Sequence, residues 1–84
     1  MNVRFTKHAQ DKLILMRQFT FDITRASIKQ TIQRPARTER KSDGTIIASS
    51  ILSDRHVLRV VYRIEDDIII VITFYPGRRK AYDI

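Results

Sequence analysis

The sequence contains no cysteine and very little glycine. Without Cys in its 84 residues, the chain can have no disulfide framework, no thiolate metal site and no thiol nucleophile. Its two glycines, Gly44 and Gly77, form no glycine-rich phosphate loop, which argues against the use of nucleoside triphosphates. Its two histidines, His8 and His56, belong to no metal-binding motif. We therefore expect neither a metal ion nor a small-molecule cofactor.

Long apolar segments are also missing. The longest one, residues 68–75, is far shorter than the ~20 residues that a membrane helix requires. The first eight residues lack the apolar stretch of a signal peptide. We therefore expect a cytoplasmic protein without membrane contact. At this length, one domain spanning residues 1–84 is the natural prediction.

Basic residues are in large excess over acidic ones. Sixteen Lys and Arg against nine Asp and Glu give a formal net charge of +7, concentrated in residues 25–41 and 78–84. Clustered positive charge attracts polyanions, and in so small a domain it favours a nucleic acid as the partner. A solvated basic face without a partner is the alternative. The residues predicted to bind nucleic acid are Arg25, Lys29, Arg37, Arg40, Lys41, Tyr75, Arg79 and Lys80.

The first half of the chain reads as a short strand and two helices. Thr6 is suited to cap the first helix, because its hydroxyl can accept a backbone N–H of the first turn. Thr20 or Asp22 could cap the second helix, and Pro35 ends it, because the residue before a proline avoids the helical region. The predicted elements are a strand at Asn2–Phe5 and helices at Lys7–Gln18 and Asp22–Gln33.

The second half reads as a series of strands joined by turns. Asp43-Gly44 is a strong signal for a type I′ hairpin, and further turns are expected at Asp66-Asp67 and around Asp54. Pro76-Gly77 should end the last strand. The predicted strands are residues 37–41, 45–52, 57–63 and 68–75. The chain is thus predicted to be α+β, with two N-terminal helices packed on an antiparallel β-meander of four or more strands.

His8 stands out because it lies, with Lys7, in the first turn of a predicted helix. The helix dipole disfavours cations there, so a sequence that places them there can be serving a site. The dipole also favours the neutral imidazole, which can accept a proton. Lys12 follows one turn later on the same side. The alternative is that His8 caps the helix or packs on the rim of the core.

Arg59 lies within an apolar strand and shares its face with Val57 and Val61. A charged residue in this setting either pairs with a carboxylate, such as Glu39, or points into a polar cleft. Further along, Arg78 and Tyr82 belong to a short cluster of basic and aromatic residues typical of RNA contact surfaces. A solvated segment with Tyr82 packed onto the sheet is the alternative interpretation of that cluster.

Several segments together resemble a known family. They are Phe5-Thr6-Lys7-His8-Ala9, a helix pair closed by Arg34-Pro35, Leu58-Arg59-Val60-Val61-Tyr62 and Val71-Ile72-Thr73-Phe74-Tyr75-Pro76. In this order they resemble a small bacterial and archaeal family of domains of unknown function that is related to the RelE/ParE-like toxins. The resemblance implies two N-terminal helices on an antiparallel sheet, an mRNA-cleaving or related RNase activity, a cognate antitoxin and a cytoplasmic location. It also matches Arg59, Arg78 and Tyr82 to the basic and late aromatic positions of the RelE-type cleft, and His8 to the family's own motif.

These observations lead to three hypotheses. The first is a toxin-type, metal-independent endoribonuclease that acts on RNA, free or on the ribosome. Its catalytic residues would be His8, Lys12, Arg59, Arg78 and Tyr82, with His8 as general base or acid. The second is a non-catalytic, toxin-like protein that inhibits a protein target such as gyrase. The third is a small nucleic-acid-binding module without catalytic activity.

Overall fold

The computed structural model describes residues 2–16 and 22–84. It confirms an α+β fold, but the sheet is mixed and a third helix follows the strands. The elements are β1 (Asn2–Phe5), α1 (Lys7–Met16), α2 (Arg25–Gln33), β2 (Arg37–Arg40), β3 (Ile46–Ile51), β4 (His56–Glu65), β5 (Ile68–Arg78) and α3 (Arg79–Tyr82). The strand order is β1-β5-β4-β3-β2, and β1 lies parallel to β5, so the prediction of a purely antiparallel sheet is wrong.

Thr6 starts α1 as predicted and also attaches this helix to the sheet. Its Oγ1 accepts the backbone N–H of Ala9 at 3.2 Å, which is the bond of an N-cap. The same hydroxyl donates to the carbonyl oxygen of Ile72 at 3.0 Å. One side chain therefore sets the first residue of α1 and its position beside β5. The end predicted for this helix, Gln18, lies outside the described residues.

The second helix begins three residues later than predicted. Its N-cap is Thr24, which forms a reciprocal capping box with Ser27, with N–H···O distances of 2.9 and 3.1 Å. Asp22 is exposed and not helical, so its prediction as a cap is wrong, while Thr20 lies outside the described residues. The apolar residues on either side of the box, Ile23 and Ile28, are both buried in the core.

The turns predicted at Asp66-Asp67 and around Asp54 are confirmed, but the turn type predicted at Asp43-Gly44 is not. At the β2–β3 hairpin only Gly44 has a positive φ, of 90°, so the predicted type I′ turn is wrong. Gly44 instead donates its N–H to the carbonyl of Lys41 at 3.1 Å, and the N–H of Lys41 donates to the carbonyl of Thr45 at 2.9 Å, which closes a three-residue loop. The positive φ angles that a type I′ turn requires occur at Asp66 (49°) and Asp67 (63°), between β4 and β5.

The last strand does not end at Pro76-Gly77, and this prediction is also wrong. β5 runs through both residues to Arg78, and α3 follows directly. The pairing of β1 with β5 stops at Val71, and beyond that residue no strand of the described chain pairs with this side of β5, which is therefore an edge. A proline is tolerated at a strand edge, because the N–H it lacks is not required by a neighbouring strand.

A β-bulge in β5 sorts the side chains of the strand between the two faces of the sheet. Val61 pairs with Thr73 and Tyr62 pairs with Val71, which leaves Ile72 as the extra residue. Val71 and Phe74 consequently both lie in the core beneath α1 and α2. Thr73 and Tyr75 are directed to the opposite face.

The core lies between the sheet and the first two helices. Its buried members are Ala9, Leu13, Ile23, Ile28, Ile46, Ala48, Leu58, Val60, Tyr62, Ile69, Val71 and Phe74. The opposite face, which carries Arg59 and Gly77, is covered in part by α3. Among the residues that the structure describes, no helix has the length and apolar character needed to span a bilayer.

Candidate functional site

Arg59 is a buried cation on the α3 side of the sheet. Its exposed fraction is 4%, and within residues 2–16 and 22–84 no other charged residue is buried. Its guanidinium forms an ion pair with the Glu39 carboxylate and donates to Ser49 Oγ at 3.1 Å. Its Nε donates to the hydroxyl of Tyr75 at 3.4 Å. Of the two interpretations of Arg59, the structure shows the pairing with a carboxylate.

This ion pair changes the acidity of both partners. The hydrogen bond from Arg59 holds the pKa of the Glu39 carboxyl below its ordinary value, and burial opposes that effect only in part. Burial by itself would lower the pKa of the Arg59 guanidinium, but the hydrogen bonds with Tyr75 and Glu39 outweigh it and raise that pKa. Both groups are therefore charged at neutral pH.

Tyr82 of α3 covers Arg59. The guanidinium carbon lies 3.9 Å from the centroid of the Tyr82 ring, within the range of a cation–π contact. Gly77 lies against the same ring, and a Cβ at that position would come within 2.6 Å of a Tyr82 ring carbon. Arg37 holds the backbone of α3 by donating to the carbonyl of Tyr82 at 2.6 Å. The packing of Tyr82 onto the sheet is thus what the structure shows.

His8 and Lys12 converge on one hydroxyl at the edge of β5. The Oγ1 of Thr73 lies 3.2 Å from His8 Nε2 and 3.4 Å from Lys12 Nζ. His8 is exposed and Lys12 is half-buried, with its ammonium 5.9 Å from the centroid of the Tyr75 ring. We call His8, Lys12, Thr73 and Tyr75 the Thr73 cluster. Three residues of different chemistry (an imidazole, an ammonium and a hydroxyl) meet there within reach of solvent.

Tyr75 joins the Thr73 cluster to the buried ion pair. Its ring lies beside Lys12 and its hydroxyl accepts the hydrogen bond from Arg59. A continuous chain of contacts therefore connects four of the five predicted catalytic residues, which are His8, Lys12, Arg59 and Tyr82. Sequence reasoning missed Thr73, whose signal was a single threonine in an otherwise apolar and aromatic strand.

Arg78, the fifth predicted catalytic residue, lies elsewhere. It lines a surface cavity of about 650 Å³, together with Asp54, Arg55, His56, Arg79, Lys80, Asp83 and Ile84. No member of the Thr73 cluster lines this cavity. Arg79 and Lys80, which were predicted to bind nucleic acid, share it with Arg78, whereas Arg55 was not predicted.

The remaining residues predicted to bind nucleic acid do not form one surface. Arg25 and Lys29 lie on α2, on the helix side of the sheet, and the Arg25 guanidinium carbon is 4.7 Å from the centroid of the Phe5 ring. Arg37 reaches α3 on the opposite face. Arg40 and Lys41 lie at the hairpin between β2 and β3.

Two further observations bear on the site. Within the described ranges, no group of three His, Asp or Glu side chains is arranged to hold a metal ion. Comparison of the chain with protein-family models, with curated proteins and with solved structures finds no significant match.

Proposed function

We propose that this protein is a toxin-type, metal-independent endoribonuclease with a RelE-like fold, and that the Thr73 cluster is its reaction site. The observation that carries the proposal is the convergence of His8 Nε2 and Lys12 Nζ on Thr73 Oγ1, at 3.2 and 3.4 Å. The formal net charge of +7 supports RNA as the substrate, because a basic domain concentrates a polyanion around itself.

The Thr73 cluster offers a cation, a hydrogen-bond donor and an imidazole to an RNA phosphodiester. The Lys12 ammonium is a mobile point charge that can bind a non-bridging phosphate oxygen. The Thr73 hydroxyl can donate a second hydrogen bond to the same group. His8 is exposed beside both residues, so an RNA phosphate that binds to Lys12 and Thr73 comes within reach of the imidazole.

The reaction itself needs little from the protein, because RNA carries its own nucleophile. His8 removes the proton of the 2′-hydroxyl, and the 2′-oxygen attacks the adjacent phosphorus. The bond from phosphorus to the 5′-oxygen then breaks, and the departing oxygen takes a proton from water. The products are a 2′,3′-cyclic phosphate and a 5′-hydroxyl end. Lys12 stabilises the negative charge that develops on the phosphate during the attack.

Tyr75 is placed to orient the substrate, and Arg59 is placed to orient Tyr75. An aromatic ring beside a phosphate site can stack against an unpaired base. Arg59 is too deeply buried to contact a phosphate directly in this arrangement, so we assign it a positioning role through the Tyr75 hydroxyl. Tyr82 supports the same role, because it covers the guanidinium. A cognate antitoxin, a ribosome-bound or free RNA substrate and a cytoplasmic location complete the proposal.

The test is cleavage of end-labelled RNA by the purified protein in the presence of EDTA, with free RNA and with mRNA on ribosomes. We expect products with cyclic phosphate ends, and no product where the nucleotide 5′ of the scissile bond lacks its 2′-hydroxyl. His8→Gln should slow cleavage by about 10²–10⁴-fold, as expected for loss of a general base. Lys7→Gln is the matched control, since Lys7 is exposed in the same turn of α1, whereas His8 and Lys12 are the described residues that reach the Thr73 hydroxyl.

Circular dichroism and thermal unfolding of each variant establish that it is folded. Folded His8→Gln protein that cleaves at the wild-type rate contradicts the assignment of His8. Wild-type protein that binds RNA but never cleaves it, free or on ribosomes, contradicts the enzymatic proposal. That result would favour the non-catalytic hypotheses, and inhibition of gyrase would then distinguish between them.

A further inference from the structure

We propose that the cavity lined by Arg55 and Arg78 is a second phosphate-binding subsite, which holds the RNA strand at a nucleotide away from the reacting phosphate. As a statement about RNA, the inference rests on the proposed function. It assigns Arg78 to substrate binding and not to catalysis, and it adds Arg55 to the residues that bind RNA.

Of the four cations that line this cavity, Arg79 donates its Nε–H to the Ile84 oxygen at 2.5 Å, and the other three have side chains that no described residue engages. Within residues 2–16 and 22–84, the side chains of Arg55, Arg78 and Lys80 take part in no hydrogen bond or ion pair, and the bond that Ser53 Oγ accepts from Arg55 comes from its backbone N–H. Two arginines outside the cavity do have carboxylate partners: Arg59 pairs with Glu39, and Arg63 pairs with Glu65 at 3.0 Å. The cavity therefore presents positive charge that its own walls do not neutralise.

The backbone holds the two arginines of the subsite next to each other. The N–H of Arg79 donates to the carbonyl of Arg55 at 2.8 Å, and His56 pairs with Arg78 across β4 and β5. The turn that carries Arg55 is closed by Ser53, whose Oγ accepts the N–H groups of Arg55 at 3.3 Å and His56 at 3.1 Å. The backbone around both arginines is therefore fixed before a ligand binds, and only their exposed side chains have to be ordered.

Size and charge fit a single nucleotide of a longer strand. The cavity volume of about 650 Å³ lies in the usual range for small-ligand sites. Its four Arg and Lys residues stand against Asp54 and Asp83, which leaves a formal charge of +2 without His56. That charge suits one or two phosphates, and Ile84 adds an apolar wall for a base or a sugar.

The position along β5 separates this subsite from the Thr73 cluster. Arg78 follows Thr73 by five residues of one strand, which corresponds to roughly 16 Å at about 3.3 Å per residue. One phosphate cannot contact both places. A single RNA strand that follows β5 can place the reacting phosphate at Thr73 and a flanking phosphate at Arg78.

The first experiment measures binding alone and does not depend on cleavage. Fluorescence anisotropy with a 2′-O-methyl oligoribonucleotide, which cannot be cleaved, gives the dissociation constant over a range of salt concentrations. Removal of one phosphate-binding side chain should reduce the slope of log affinity against log salt by about 0.7. We expect this reduction for Arg55→Ala and for Arg78→Ala, and no change for Arg63→Ala, whose guanidinium is occupied by Glu65.

The second experiment separates binding from chemistry by substrate length. On a long substrate, Arg78→Ala should raise KM about tenfold and leave kcat unchanged. On a dinucleotide, which is too short to reach the cavity, the same variant should behave as wild type. His8→Gln should do the opposite, with a lowered kcat and an unchanged salt slope.

The outcomes distinguish this inference from the proposed function. If the wild type never cleaves RNA but Arg55→Ala and Arg78→Ala each reduce the salt slope, the subsite stands and the reaction does not. If both variants have the wild-type slope, the subsite is overturned. A lowered kcat with unchanged KM in Arg78→Ala also overturns it and returns Arg78 to the catalytic residues. Arg55 and Arg78 are both exposed, so their substitution should leave the fold intact.

Discussion

The guanidinium carbon of Arg59 lies 3.9 Å from the centroid of the Tyr82 ring, and the Glu39 carboxylate pairs with the same guanidinium. A cation this deeply buried would be strongly destabilising without such partners. Because Tyr82 belongs to α3 and Glu39 to β2, this contact ties the last helix and an edge strand to the middle of the sheet. The stability of the α3 side of the molecule should therefore depend on a few residues around Arg59.

Gly77→Ala should displace Tyr82 from Arg59. The added Cβ would lie 2.6 Å from a Tyr82 ring carbon, so the ring must move. Overpacking of this kind typically costs about 1–3 kcal/mol in the free energy of unfolding, which urea denaturation measures. In a Tyr82→Ala background the clash is gone, so the same substitution should cost much less. An equal cost in both backgrounds would show that the ring is not what makes glycine necessary.

Glu39→Ala should be far more destabilising than loss of an exposed ion pair. It leaves Arg59 buried and without its carboxylate. Breaking a fully buried pair typically costs about 3–5 kcal/mol, and because the Glu39 side chain is 27% exposed we expect a loss at the lower end of that range. Glu65→Ala removes the partner of the exposed Arg63 and should cost at most about 1 kcal/mol. Denaturant unfolding of the two variants makes the comparison. Similar losses would mean that water already solvates the Arg59 guanidinium.

The Glu39 carboxyl should make stability fall in acid. Its pKa is lowered in the folded protein by the hydrogen bond from Arg59, relative to about 4.3 in an unfolded chain. Its contribution is therefore complete above the unfolded pKa and is lost as the pH falls through the folded pKa. The free energy of unfolding, measured from pH 7 to pH 2.5, should decline less steeply for Glu39→Gln than for the wild type.

A second carboxyl provides the control for this pH experiment. The pKa of Asp43 is also lowered, first by the hydrogen bond from the Thr45 side chain, and its contribution has the same sign. Asp43→Asn should remove only the part of the acid sensitivity that comes from Asp43. The free energy of unfolding of the double variant should therefore change less with pH than that of either single variant. A pH profile for Glu39→Gln that is parallel to the wild-type profile would exclude the Arg59 pair as a source of acid sensitivity.

Thr6→Ala should cost more stability than Thr24→Ala. Both residues cap helices, and loss of an N-cap typically costs about 0.5–2 kcal/mol. Thr6 also donates to the Ile72 carbonyl at 3.0 Å, and a net hydrogen bond is worth about 0.5–1.5 kcal/mol more. Chemical denaturation of both variants tests this order. If the costs are equal, the bond to Ile72 contributes nothing beyond what water supplies.

Local patterns predicted the α+β class and the order of the elements apart from α3. They also predicted the start of α1, because the signals lie within a few residues of one another. The Thr6 hydroxyl accepts the N–H of Ala9, three residues later, and so caps α1. The spacing of the apolar residues Ala9 and Leu13 identifies the buried side of this helix. Local signals failed where a neighbouring strand decided the outcome. Pro76 continues β5 because β1 leaves that edge uncovered, a condition that no nearby residue encodes.

The candidate site also depends partly on local sequence signals and partly on tertiary contacts. The sequence by itself determined the excess of basic residues and the placing of His8 and Lys12 one helical turn apart, since both follow from composition and short spacing. Only the tertiary structure decided that they meet the Thr73 hydroxyl, which is 65 residues from His8 along the chain. It also decided that Arg59 pairs with Glu39 and that Arg78 faces a different cavity. The physical reason is that strand register and the bulge at Ile72 direct these side chains, and both depend on contacts between distant segments.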